Sequence, residues 1–121
     1  MSRKITFSED EYYHVFNRGV EKRIVFNDEH DKLRFQKLLY VCNGDKNVHL
    51  SILKDEVKGN GIYRVDRGKP FVAIGAYCLM GNHFHLLLKE YRSGGISQFM
   101  HKLATAYTMY FNIKNHRTGF R

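Results

Sequence analysis

Ala76-Tyr77-Cys78-Leu79-Met80-Gly81-Asn82-His83-Phe84-His85-Leu86-Leu87-Leu88 is the stretch on which the fold and the function of this chain turn. Gly81-Asn82 is a turn-forming pair, and the apolar run after it carries histidines at its first and third positions. Side chains alternate faces along a β-strand, so His83 and His85 project together while Phe84, Leu86 and Leu88 form the buried face. Two imidazoles side by side on a rigid strand make half of a divalent-metal site. The same triplet also reads as one core and one surface histidine, because H-x-H is a short pattern with many accidental matches. Residues 71–79 form a second apolar strand. The tight turn joins the two strands as an antiparallel hairpin and places the histidine pair centrally in a sheet.

Outward from the hairpin, residues 11–17 read as a first strand, with Tyr13, Val15 and Asn17 on one face and Tyr12, His14 and Phe16 on the other. His14 is a candidate third metal group or an ordinary strand histidine. Arg18 leaves the end of that strand, and Gly19 suits a backbone position with positive φ. Asn27 or Asp28 caps a helix that runs to about Cys42, with Glu29 and Asp31 at the positive end of its dipole. Its core stripe is Phe35, Leu38, Leu39 and Cys42, and Asn43-Gly44-Asp45 stops it. Residues 48–57 read as another strand and residues 62–65 as a short return strand. Residues 54–69 would then form a basic hairpin insert, a DNA contact or a plain turn.

Downstream, Gly94-Gly95 is a turn and a candidate point of close approach to a phosphate. Residues 96–115 are the strongest helix, with Ile96, Phe99, Met100, Leu103, Tyr107, Tyr110 and Phe111 on one stripe. Lys102 lies on the opposite face, and Lys114, His116, Arg117 and Arg121 make a basic end. The element order, β-α-β-(β)-β-β-α, predicts an α+β fold: a central antiparallel sheet with helices packed on one face.

With 121 residues the chain makes one domain, and 43% hydrophobic residues support a folded globule over a disordered chain. A net charge of +8 points to a polyanionic partner, either nucleic acid or an anionic membrane surface. No apolar run approaches the ~18 residues that span a bilayer, and no long basic amphipathic helix supports a membrane surface. Met1-Ser2-Arg3-Lys4-Ile5-Thr6 lacks the apolar region of a signal peptide, so the expected location is the cytoplasm. Cys42 and Cys78 suit neither a zinc knuckle nor a disulfide framework and are expected as buried, reduced thiols. Eight tyrosines and nine phenylalanines interleaved with 20 basic residues make stacking on unpaired bases chemically available.

The segment Leu79-Met80-Gly81-Asn82-His83-Phe84-His85-Leu86-Leu87 resembles the signature of the IS200-like single-tyrosine (Y1, HUH) transposases, especially their REP-associated branch. Tyr13-His14-Val15-Phe16-Asn17-Arg18-Gly19 and the region from Tyr107 to Gly119 also resemble that family, in the expected order. Gly81 stands where the family usually has proline, a departure expected to alter the turn and not the ligands. The resemblance implies a ferredoxin- or RRM-like palm and cleavage and rejoining of single-stranded or hairpin DNA through a 5′-phosphotyrosine. It implies magnesium or manganese on His83 and His85, with manganese the better match to two imidazoles. Arg18, Lys102 and Arg117 are the cations assigned to the DNA.

The family's nucleophile sits on a later helix, in a Tyr-Ile-x-x-Asn/Gln pattern whose amide completes the metal site. No such pattern follows the last matching segment, so the nucleophile is expected beyond Arg121. Tyr107 is the fallback within the chain, although Asn112 stands five residues on and Tyr107 lies in the apolar stripe. Two other functions stand beside DNA nicking: a hairpin-DNA-binding module that does not cut, and a metal nuclease that uses water. A homodimer is compatible with the family but has no support in the sequence.

Overall fold

A computed structural model of the chain describes residues 11–18, 25–48 and 61–115. In order, the elements are β1 (Tyr12–Arg18), α1 (Glu29–Val41), one 3-10 turn (Gly61–Arg64), β2 (Val72–Met80), β3 (His83–Glu90) and α2 (Gly95–Lys114). β2 and β3 form the expected hairpin across Gly81-Asn82, and β1 pairs antiparallel with the other edge of β3. The sheet order is therefore β1-β3-β2, with the histidine strand in the middle. The fold is α+β.

β3 alternates strictly. Phe84, Leu86 and Leu88 are buried, whereas His83 and His85 are half-buried and Leu87 is exposed. Burying side chains of this size contributes about 1.5–3 kcal/mol each. A one-residue slip would turn all three to water, so the core holds the register that presents the histidines.

β2 does not alternate strictly, and glycine is the reason. Its pairing with β3 shifts between Ile74 and Ala76, leaving Gly75 as a bulge. The extra residue keeps Val72 and Ile74 on the same face as Tyr77 and Leu79, and turns Ala76, Cys78 and Met80 to the other face. A Cβ at Gly75 would stand 2.8 Å from the Tyr12 ring, so the bulge also admits a side chain from β1 that reaches across β3.

Both helices cover the Phe84 face. The Asp28 side chain caps α1 by accepting from the Asp31 amide at 3.1 Å. Phe35 of α1 then packs against Phe84 of β3 and Tyr107 of α2, with ring centroids 4.9 and 5.3 Å away. α2 buries Ile96, Phe99, Leu103, Ala106, Tyr107 and Phe111, the stripe its spacing predicts.

Three buried polar side chains join these layers. The Asn43 carbonyl oxygen accepts from the Phe71 and Val72 amides at 2.9 and 3.0 Å, while its amide donates to the Val72 carbonyl at 2.8 Å. This fastens the end of α1 to the start of β2. Glu90 accepts from the Ile96 amide at 3.0 Å and satisfies an orphan donor at the start of α2, where N-cap Gly94 has no side chain to do so. Asp31 is fully buried and accepts from the Asn27 amide, the Tyr110 hydroxyl and the Lys114 ammonium at 2.6–2.7 Å.

Some expectations change. Residues 62–65 do not return as a strand: Gly61–Arg64 is a 3-10 turn that buries Ile62 completely against α1. Arg67 lies 4.1 Å over the Tyr40 ring and donates to the Tyr40 carbonyl, so this part of the expected insert is tied to α1 and does not project. The remainder of that insert, and most of the strand expected at 48–57, lie outside the described residues. Gly95 makes its close approach to protein backbone and not to a phosphate position, since a Cβ there would meet the Phe71 carbonyl oxygen at 2.3 Å.

Candidate metal and nucleic-acid site

The sheet face opposite the helices brings together side chains from all three strands. β3 supplies His83, His85 and Leu87. β1 supplies Tyr12, His14 and Phe16, with Phe16 opposite His85 and Arg18 opposite His83. β2 supplies Cys78 opposite His85 and Met80 opposite His83. Tyr12, Phe16, Met80 and Leu87 are exposed, so among the described residues this is an open, largely aromatic and apolar surface around three imidazoles.

The His83 and His85 rings lie 4.9 Å apart, centroid to centroid, at 82° to one another. Each has its Nδ1 engaged by a neighbour. His83 Nδ1 lies 2.7 Å from Asn82 Oδ1, an oxygen that can only accept, so His83 donates from Nδ1 and keeps its lone pair on Nε2. His85 Nδ1 lies 2.7 Å from His14 Nε2. The His14 ring lies edge to edge with His85 and nearly coplanar with it, with centroids 4.9 Å apart and 10° between planes, and Phe16 stacks on both at 5.3 and 5.9 Å. Crowding by these rings strips water from the His85 imidazole and, with the neighbouring His83 and His14, holds its pKa below the ordinary histidine value. A neutral imidazole is the form that binds a metal.

Among the described residues no group of three or more His, Cys, Asp or Glu side chains is arranged to hold a metal ion. His14 turns its Nε2 to His85, so that nitrogen is engaged within the protein. Among the described residues, His83 and His85 are the imidazole pair that could serve a metal ion on this face. That chemistry fits a divalent ion whose other positions are filled by water or phosphate oxygen, as in an open catalytic centre and unlike a closed structural one.

The other sequence-derived candidates fall elsewhere. Tyr107 lies among Phe26, Phe35, Tyr110 and Phe111, on the helix side of the sheet, and its hydroxyl donates to the Val25 carbonyl at 2.5 Å. Burial, with Asp31 nearby, raises its pKa far above the ordinary tyrosine value. It is a core residue, remote from the imidazole face, and this removes it from the candidates for nucleophile there. Lys102 is also structural: its ammonium donates to the Gly44 carbonyl at 2.8 Å and the Lys46 carbonyl at 3.4 Å, closing the turn after α1. Its ammonium is thereby engaged with the protein's own backbone.

Arg18 ends β1 beside His83 in register, and its side chain lies outside the described part, as does Arg117. Cys42 is buried as expected, and burial pushes its thiol up to about 11. Cys78 is exposed on the open face, contrary to expectation, because the Gly75 bulge turns it there. The roles of Asn82 and Phe16 at the imidazoles were missed in the sequence. Adjacency to His83 was a signal for Asn82, whereas Phe16 needed the β1–β3 register.

Neither a family model nor a curated protein nor a solved structure matches this chain. No helix among the described residues is long and apolar enough to cross a membrane.

Proposed function

We propose that this chain is the DNA-holding, phosphate-activating part of an IS200-like single-tyrosine transposase of the REP-associated kind, acting on single-stranded or hairpin DNA. The sheet would be its ferredoxin-like HUH palm. One observation carries the reading: His83 and His85 stand on one face of the central strand, each with Nδ1 engaged, beside a stackable aromatic surface in a chain of net charge +8.

A bound magnesium or manganese ion would supply Lewis-acid polarisation of a non-bridging phosphate oxygen. His83 and His85 would hold it, and the packed β3 register fixes their separation. In the chemistry proposed, a tyrosine hydroxyl attacks phosphorus and its O–P bond forms as the P–O3′ bond breaks. The departing 3′-oxygen takes up a proton, leaving a 3′-hydroxyl and a 5′-phosphotyrosine, and the reverse step rejoins the strand. The attacking tyrosine is not Tyr107, whose hydroxyl is committed to the core. That sequestration favours one alternative, a module that holds hairpin DNA without cutting it.

The test is binding of labelled hairpin DNAs with and without manganese, followed by a denaturing gel. Manganese is expected to raise affinity about tenfold, or about 1.4 kcal/mol. His83→Ala should remove that increment and keep a salt-sensitive remainder with a slope of about −0.7 per phosphate neutralised. Binding that ignores manganese and His83 would establish the non-cutting module. Cleavage without a protein–DNA adduct would establish a water-using nuclease, and an adduct lost in Tyr107→Phe would overturn the placement of the nucleophile.

A further inference from the structure

We infer that His14 is a positioning residue: its Nε2 accepts the Nδ1–H of His85 and so turns the His85 Nε2 lone pair outward for a metal ion. The inference rests on the metal reading above and adds to it a residue that contacts neither metal nor DNA.

The 2.7 Å contact between His14 Nε2 and His85 Nδ1 has two proton arrangements. If His14 donates, the proton of neutral His85 sits on Nε2 and that nitrogen cannot ligate. If His85 donates, Nε2 is free. One feature of this face favours the second, and two others hold the contact in place. His83 already has that form, enforced by Asn82 Oδ1, so both imidazoles of the pair then present the same nitrogen. The near-coplanar, edge-to-edge setting of His14 and His85, with Phe16 stacked on both, aligns the two nitrogens along the contact. The strand pairing makes this arrangement possible: His14 stands opposite Leu87 and Phe16 opposite His85, on the same face. Metal-ligating histidines commonly donate their second N–H to an acceptor, usually a carboxylate, carbonyl or water, and loss of that acceptor typically costs about 10–100-fold in affinity or activity.

The test uses the whole 15N-labelled chain. Long-range 1H–15N correlations read the histidine tautomers without metal, and electron paramagnetic resonance of free Mn2+ measures binding. In the wild-type chain His85 is expected as the Nδ1–H form. His14→Ala should move it toward Nε2–H and weaken manganese binding about tenfold or more, and His14→Gln, which restores an acceptor, should recover most of both. An Nε2–H form of His85 in the wild type would overturn the inference, as would a His14→Ala chain unchanged in tautomer and affinity. A manganese-dependent perturbation of His14 equal to that of His83 would make it a direct ligand and also overturn it. The two readings separate cleanly. If wild-type and His83→Ala chains bind manganese equally weakly, the metal reading fails, while the tautomer spectra still decide whether His14 accepts from His85.

Discussion

Tyr107→Phe separates a structural tyrosine from a chemical one, and its effect can be worked from the contacts. The change keeps the ring packing against Phe26, Phe35, Tyr110 and Phe111 and removes only the hydroxyl that donates to the Val25 carbonyl. A neutral hydrogen bond is worth about 0.5–1.5 kcal/mol net, and a buried acceptor left unpaired costs about 1–3 kcal/mol. Val25 is only half-buried, so water can recover part of that loss. The expected destabilisation is about 1–2 kcal/mol, or about 5 °C in Tm for a domain of this size. Tyr107→Ala also empties the space between the helices and should cost about 3–5 kcal/mol. Urea unfolding measures both, and manganese-dependent hairpin binding by Tyr107→Phe should stay within twofold of wild type. A Tyr107→Phe chain of unchanged stability that fails to form a protein–DNA adduct made by the wild type would refute the reasoning.

Three further outcomes are expected. Asn43→Ala removes three hydrogen bonds from a buried junction and orphans the Phe71 and Val72 amides, so it should cost about 3 kcal/mol in a denaturation experiment. Lys102→Met loses the ammonium contacts to Gly44 and Lys46 and the cation over the Phe71 ring; it should cost about 1–2 kcal/mol and leave hairpin affinity within twofold. Burial raises the pKa of Tyr107 and, aided by the hydrogen bond to Asp31, pushes Tyr110 up to about 12, whereas tyrosines of the unfolded chain ionise near ~10. The unfolded chain therefore sheds these protons first. Stability should be whole below pH ~10 and fall as pH rises through about 12, with a shallower fall in Tyr107→Phe measured against wild type by urea titration.

The hairpin was legible in the sequence because its signals are local. Gly81-Asn82 between two apolar runs specifies a tight turn, and the period-two alternation of Phe84, Leu86 and Leu88 assigns the core face of β3 without knowledge of any neighbour. By the same logic His83 and His85 had to share the other face. Both helices were legible for similar reasons: Asp28 is a local cap, and the stripe from Ile96 to Phe111 is one helix's own periodicity. What defeated local reading was the 3-10 turn at Gly61–Arg64, which buries Ile62 while packing on α1, where Tyr63 meets the Tyr40 ring.

The sequence by itself determined that two imidazoles stand side by side on a strand, that the chain is basic, and that Tyr107 belongs to an apolar stripe. Tertiary structure alone decided their surroundings. Pairing of β1 with β3 brings His14 and Phe16 onto His85 across 71 and 69 positions of chain, and no local pattern encodes that contact. The Gly75 bulge decides which face carries Cys78, because one extra residue reverses the alternation that the sequence shows. Lys102 looks like any solvated lysine until the turn after α1 presents two carbonyls to it. Periodicity assigns a residue to a face; only the packing of distant segments supplies the partners it meets there.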